Sequence, residues 1–131
     1  MSKKGNAITP KSQSLWVYMT IVENETMVRN LKPDLAQLEQ LDCRGIIVTA
    51  LGDECDFVSR FFAPRYGVTE DPVTGSAHCL LTPYWSKRLN TQKLIAKQIS
   101  SRGGIIECEL NGDRVSLSGE CALYMKGLIT F

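Results

Sequence analysis

The sequence predicts an α+β domain in which a mostly antiparallel β-sheet of about six strands curls around one central helix. From residue 92 onward, apolar and polar residues alternate in short runs separated by glycine-containing turns, which is typical of antiparallel strands. Before them, the stretch SAHCLLTPYWSKRL has apolar residues around most of its helical circumference. Such a helix needs cover on all sides, and a curled sheet provides most of that cover.

The composition is that of an ordinary globular protein of one domain. The 131 residues are 44% hydrophobic and 22% charged, and 15 basic residues balance 14 acidic ones to give a net charge of +1. Nothing in this balance favours nucleic acid or an anionic membrane as a partner. No run approaches the roughly 18 to 20 apolar residues of a membrane span, and the polar start has no signal sequence, so we expect a cytoplasmic protein.

The first third of the chain predicts a tail, a strand and a short helix. Residues 1–14 are polar and lack apolar periodicity, so we expect a disordered polar tail before a single domain over residues 15–131. Residues 15–22, LWVYMTIV, are rich in aromatic and β-branched side chains and predict a strand. A short helical turn is expected after it, and Pro33 opens a helix through PDLAQLEQL that should end at residues 43–45.

Two strands are predicted at residues 45–51 and 55–63. The first is almost continuously apolar, which indicates burial on both faces. The second carries an aromatic cluster flanked by Arg60 and Arg65. These arginines either lie over the rings or pair with Glu70 or Asp71, or one of them lines a cleft and attracts a substrate carboxylate.

The last third predicts strands joined by tight turns. The runs QKLIAKQIS, IIECEL, RVSLSG and CALYMKG each alternate like a strand, and Asn111-Gly112 between two of them predicts a hairpin. Pro83 lies inside the predicted central helix, where it removes a backbone hydrogen bond and should kink the helix. The neighbouring Thr82 hydroxyl can satisfy a freed carbonyl.

The loop EDPVTGSA leads into the central helix, which is predicted to start near Ser76 with the Ser76 hydroxyl as N-cap. The backbone amides of Gly75, Ser76 and Ala77 would then lie at the positive end of the helix dipole and could hold a carboxylate. Asp71 lies a few residues upstream, where it could transfer a proton. The alternative is that this loop only caps a structural helix.

The cysteines and the single histidine predict no metal centre and no disulfide framework. The five cysteines are widely spaced without a CxxC pair, so we expect reduced thiols in a core. Cys79 lies inside the central helix and is expected to be buried. His78 is expected to be structural.

The segment DFVSRFFAPRYGVTEDPVTGSAHCLLTPYW, together with LKPDLAQL, QISSRGG and GDRVSLSG, resembles the C-terminal lobe of the phenazine-biosynthesis-like (PhzF) family. That family has the fold of diaminopimelate epimerase. The resemblance extends over residues 16–131 and implies one lobe, a sheet wrapped around a central helix. Family members combine two such lobes, with the active site where the two helix N-termini face each other.

The resemblance implies an isomerase site that moves a proton on a small carboxylated substrate without a metal or organic cofactor. Asp71 matches the family's active-site aspartate and Ser76 the serine that contacts substrate, while Gly75, Ser76 and Ala77 match the carboxylate-binding amides. The family's proton-shuttling glutamate and its active-site histidine belong to the N-terminal lobe, whose glycine-asparagine-proline motif this chain lacks. His78 does not replace that histidine.

Two functions therefore stay open. The chain is either an isomerase lobe that needs a complementary, glutamate-bearing lobe, or a non-catalytic module that binds a small acid or dimerises. A single lobe would expose the apolar face that normally meets its twin, so we expect a homodimer.

Overall fold

The computed structural model describes residues 16–131, so the tail predicted at residues 1–14 lies outside the described residues. The described chain contains seven strands: β1 (Val17–Ile21), β2 (Gly45–Leu51), β3 (Phe57–Ala63), β4 (Val68–Asp71), β5 (Lys93–Gln98), β6 (Gly104–Asn111) and β7 (Arg114–Ser118). Its α-helices are α1 (Glu25–Asn30), α2 (Leu35–Glu39) and α3 (Gly75–Leu89). A 3-10 turn, Pro64–Tyr66, follows β3.

The strands form one sheet in the order β1-β2-β3-β5-β6-β7, and β4 pairs with β3 beside this path. Only β1 with β2 and β3 with β5 are parallel. The other four pairings are antiparallel, which confirms the predicted mostly antiparallel sheet.

Helix α3 packs on one face of the sheet, and α1 and α2 cover β2 and β3 on the other. The alternation of side chains along β3 explains this arrangement, because Phe57 and Phe61 point towards α3 while Val58 and Phe62 point towards the opposite cluster. Strand β2 is buried from Gly45 to Ala50. Its predicted burial on both faces is therefore confirmed.

Helix α3 is continuous through Pro83. Ala77, Leu81 and Trp85 lie in the main core, and the Thr82 hydroxyl donates to the His78 carbonyl oxygen at 2.6 Å. Because proline has no N–H, the carbonyl that Pro83 leaves without a donor is that of Cys79, four residues earlier. The bond from Thr82 to His78 does not satisfy it.

The sheet covers most of α3, as expected, and leaves one side of the helix uncovered. Ser76, Cys79, Pro83 and Lys87 are exposed there, three or four residues apart. The prediction that Cys79 is buried is therefore wrong, because it lies on the side of the helix that faces away from the sheet. All five cysteines are free thiols, and only Cys43 and Cys108 of them are buried in the core.

The predicted hairpin is confirmed by β6 and β7. Asn111 pairs with Arg114, and Gly112 between them has a φ of +61°, a left-handed conformation that favours glycine. Helix α2 is shorter than predicted. Asp34, not Pro33, opens it, since the Asp34 carboxylate caps the Gln37 amide at 3.2 Å, and the helix ends at Glu39.

The predicted strand CALYMKG is wrong, since residues 119–131 contain no helix or strand. Their large apolar side chains, from Leu123 to Phe131, are at least 77% exposed. A strand needs a hydrogen-bonded neighbour, and no described segment pairs with these residues. Within residues 16–131, the alternating pattern of this segment therefore does not produce a strand, because the segment pairs with no other strand.

His78 is fully buried between α3 and β3, with its ring centroid 6.0 Å from that of Phe57. Its Nδ1 lies 2.8 Å from the Thr74 carbonyl oxygen, and since a carbonyl only accepts, Nδ1 carries the proton. Burial lowers the pKa of His78, and the bond to Thr74 opposes this effect in part. The ring is therefore neutral at pH 7, as a structural histidine should be.

This burial predicts a pH-dependent stability. The pKa of His78 is lower in the folded chain than its ordinary value of 6.5, so the stability contributed by the neutral ring is complete above pH 6.5 and is lost as pH falls towards the folded pKa. Between pH 6.5 and the folded pKa, urea denaturation should show a loss of up to about 1.4 kcal/mol of unfolding free energy per pH unit. His78→Gln should abolish this loss, because His78 is the chain's only histidine. An equal loss in both proteins would contradict the assignment.

Candidate functional site

The start of α3 lies at the end of the sheet where several strand ends meet. Strand β4 ends at Asp71, which pairs with Phe61 near the end of β3, and residues 72–74 connect it to the helix. Strand β5 ends at Gln98, which pairs with Gly104 at the start of β6. The loop before α3 thus lies beside the ends of four strands, β3 to β6.

The N-cap of α3 is Thr74, and the prediction of Ser76 in this role is wrong. Ser76 lies in the first turn and is exposed. Thr74 has extended backbone angles but its side chain caps no amide. Its hydroxyl instead donates to Asp71 Oδ2 at 2.5 Å. The first amides of the helix therefore receive no acceptor from the cap residue, and they stay available to an anion.

The predicted site residues lie together around this helix start. Asp71 is half-buried, and one hydrogen bond links it to the N-cap residue. Gly75 and Ser76 are exposed, whereas the Ala77 side chain is buried in the main core. The structure thus presents a carboxylate and two exposed peptide units at one point, with Ala77 anchoring the turn behind them.

Gln98 is the main residue that the sequence reasoning missed. It is 1% exposed, and both polar atoms of its side chain contact the loop. Its Oε1 accepts from the Thr74 amide at 2.7 Å, and its Nε2 donates to the Asp71 carbonyl at 2.7 Å and to the Thr74 hydroxyl at 3.1 Å. A signal existed, since Gln98 follows Leu94 and Ala96 on the buried side of β5. A glutamine in that series needs polar partners.

Further contacts hold the middle of the loop. The Ser100 hydroxyl donates to the Pro72 carbonyl at 2.8 Å and accepts from the Gly103 amide at 2.9 Å. A Cβ at Gly104 would lie 2.4 Å from Val73 Cγ2, so only glycine lets the loop approach β6 this closely. The loop is therefore packed and bonded along its whole length.

A cleft of about 290 Å³ opens beside Asp71. Its lining combines the Arg44 guanidinium, the Tyr66 phenol and the Asp71 carboxylate with apolar side chains. The remaining lining residues are Phe61, Ala63, Val68 and Thr74. Arg44 is exposed and forms no ion pair with another residue of the described part, 16–131. A larger cavity of about 680 Å³ is bordered by Gly75 and Leu117.

Arg60 and Arg65, considered from the sequence as cleft residues, have other partners. Arg60 binds both carboxylate oxygens of Glu70, at 2.7 and 2.9 Å, and lies 4.9 Å over the Phe62 ring. Arg65 pairs with Asp42 at 3.1 Å. The structural alternative is therefore correct for Arg60, whereas Arg65 has a partner that the sequence did not indicate. The cation beside Asp71 comes from Arg44, immediately before β2.

Within residues 16–131, no three His, Cys, Asp or Glu side chains are grouped in a way that could hold a metal ion. In the same part of the chain, none of the helices has the length and apolar character needed to cross a membrane.

The family model and the individual relatives that match this chain point to the same protein family. The family described as phenazine biosynthesis-like protein (PhzC-PhzF) matches residues 2–127. The chain is 55% identical over 111 residues to a Pseudomonas aeruginosa protein named uncharacterized isomerase PA3578, covering 85% of this chain and 42% of that protein. It is 39% identical over 133 residues to the human phenazine biosynthesis-like domain-containing protein, covering 93% and 46%. The chain thus spans less than half the length of these relatives.

Solved structures agree. A PhzC/PhzF protein from Clostridium difficile superposes with a TM-score of 0.78 at 45% identity, covering 95% of this chain and 49% of that one. A PhzF-family protein from Enterococcus faecalis gives 0.72 at 44% identity, covering 82% and 44%. The sheet around α3, the EDPVTGSA loop and the match over residues 2–127 together show that this chain belongs to the phenazine biosynthesis-like (PhzF) family and has its diaminopimelate-epimerase-like fold.

Proposed function

We propose that this chain is one lobe of an isomerase that transfers a proton on a small carboxylated metabolite. The observation that carries the proposal is the carboxylate of Asp71, held through Thr74 beside the uncapped start of α3. The isomerase names of its bacterial relatives support the same class of reaction. The chain covers less than half of the length of these relatives, which supports a second, glutamate-bearing lobe as its partner.

In this proposal the helix start holds the substrate carboxylate. The amides of Gly75, Ser76 and Ala77 lie at the N-terminus of a 15-residue helix, which is the positive end of its dipole. An anion bound there also stabilises negative charge that develops when a neighbouring carbon loses its proton. The chemistry needs no metal or organic cofactor, since a carboxylate accepts the proton and an unsaturated acid delocalises the remaining electron pair.

Asp71 is the proposed proton-transfer group, and its cleft favours a particular kind of substrate. The floor of Phe61 and Ala63 suits a hydrocarbon portion, while the Arg44 guanidinium and the Tyr66 phenol suit polar substituents. We therefore propose a small hydroxylated or aminated unsaturated acid, handled in the cytoplasm. Neither nucleic acid nor a membrane is a proposed partner.

A solvent-exchange assay tests the role of Asp71. The purified chain is mixed with a glutamate-bearing PhzF N-terminal lobe, and deuterium uptake from D2O into a small unsaturated hydroxy acid is followed by mass spectrometry. Asp71→Asn should lower the exchange rate by at least about 100-fold, since it removes a general base. Asp113→Asn, in the β6–β7 hairpin, is the matched control and should exchange at the unaltered rate. Equal rates for the two variants would refute the proposed role of Asp71.

A second function, a small-acid-binding or dimerisation module without catalysis, is favoured by one observation. Residues 119–131 expose six large apolar side chains, among them Tyr124 at 98% and Leu128 at 94%. A segment that exposes this many large apolar side chains promotes association. A homodimer formed through it is the proposed partner arrangement, and it would place two α3 helix starts in one assembly.

Light scattering tests this association. The chain should be a dimer at about 50 μM, a concentration at which modest interfaces are occupied. The double variant Leu123→Asp, Leu128→Asp should be monomeric, because two buried charges at the interface are costly. Met27→Glu, which changes an exposed apolar residue of α1, is the control and should stay dimeric. A monomeric wild-type chain at this concentration would contradict the proposal.

A further inference from the structure

We infer that Gln98 is a positioning residue for Asp71: acting through Thr74, it locks Oδ2 as a hydrogen-bond acceptor and leaves Oδ1 as the oxygen that takes the proton. This inference deepens the proposed function and rests on it for the reaction, although the hydrogen-bond geometry stands independently. Three steps support it, and each uses atoms whose donor or acceptor role is unambiguous.

The orientation of the Gln98 carboxamide is dictated by two backbone groups. The Thr74 N–H can only donate and the Asp71 carbonyl can only accept. Oε1 must therefore face the Thr74 amide and Nε2 the Asp71 carbonyl, each at 2.7 Å. The flipped carboxamide would place two donors together and two acceptors together in a buried position.

The direction of the Thr74 hydroxyl follows from this orientation. Nε2 of Gln98 also lies 3.1 Å from Thr74 Oγ1 and can only donate, so Oγ1 accepts there. Its own proton is then directed to Asp71 Oδ2 at 2.5 Å. Because Gln98 and Thr74 are both buried, water does not compete for these bonds, and successive hydrogen bonds of the same direction strengthen one another.

This chain of bonds divides the two oxygens of Asp71 between two tasks. Oδ2 is engaged by Thr74, whereas Oδ1 has no hydrogen-bond partner within the described residues, and Asp71 lines the cleft. In the proposed reaction the substrate C–H bond breaks, its proton binds Oδ1, and the electron pair stays in the unsaturated acid. The glutamic acid of the complementary lobe then protonates a second carbon. Oδ1 releases its proton to solvent and the glutamate takes one up from solvent, while Thr74 keeps Oδ2 in place throughout.

A merely structural glutamine would support the loop without orienting Asp71. Ser100 supplies the comparison, since its hydroxyl also bonds the loop, at the Pro72 carbonyl, but contacts neither Thr74 nor Asp71. Ser100→Ala therefore weakens the loop and leaves the bonds from Gln98 to Asp71 intact. Gln98→Glu retains an acceptor for the Thr74 amide and loses both donated bonds. Thr74→Val removes the hydroxyl at nearly constant shape, and Thr74→Ser restores it.

The direct measurement is the χ1 rotamer of Asp71, from three-bond NMR couplings in the isolated chain without substrate. We expect one rotamer in the wild-type chain, Thr74→Ser and Ser100→Ala, and averaging over rotamers in Gln98→Glu and Thr74→Val. A single Asp71 rotamer in Thr74→Val would overturn the inference, and so would averaging in Ser100→Ala to the same extent as in Gln98→Glu.

Kinetics in the two-lobe exchange assay give the second readout. Thr74→Val and Gln98→Glu should lower kcat about 10- to 100-fold while KM stays within about threefold, because the amides that hold the substrate carboxylate are retained. An unchanged kcat in both variants would overturn the inference. If no protein shows exchange, the proposed function fails, while the rotamer measurement still decides whether Gln98 positions Asp71.

Discussion

The buried Gln98 carboxamide donates hydrogen bonds to Asp71 and Thr74 and accepts one from the Thr74 amide, and these three bonds are the constraint on which the rest of the site depends. They join the end of β5, the end of β4 and the start of α3. Any displacement of the loop would leave a buried amide unsatisfied, at a cost of about 1 to 3 kcal/mol for each lost partner. The position of the Asp71 carboxylate and the openness of the helix start both follow from this anchorage.

Gln98 is one end of a polar row that crosses the inner face of the sheet. Thr49 pairs with Ser59, and Ser59 with Gln98, so the three lie side by side on β2, β3 and β5 facing α3. At the other end of the row, the Trp85 indole N–H donates to the Thr49 hydroxyl at 3.0 Å. Apolar contacts alone would let the helix slide along the sheet. Directional bonds at Thr74 and Trp85 fix its position.

Local patterns were enough to predict the sheet and its helix, because alternation, continuous apolar runs and the Asn111-Gly112 turn report directly on backbone structure. They failed where a distant residue decides the outcome. Ser76 looks like an N-cap by composition, but Thr74 takes that position and turns its hydroxyl to Asp71, which β5 holds through Gln98. Similarly, the sequence offers Arg60 and Arg65 as cleft cations, but they pair with Glu70 and Asp42, and Arg44 lines the cleft instead.

Because Oδ2 is engaged by Thr74, only Oδ1 of Asp71 can transfer a proton, and this limits the reaction that one lobe can perform. A single carboxylate oxygen, Oδ1, can carry a proton between two carbons only when both come within hydrogen-bond reach on the same face of the substrate. A transfer that delivers the proton to the opposite face needs a second acid on the far side of the cleft. The stereochemistry of proton delivery therefore distinguishes a reaction performed by this lobe's own carboxylate from one that also requires the glutamate of a complementary lobe.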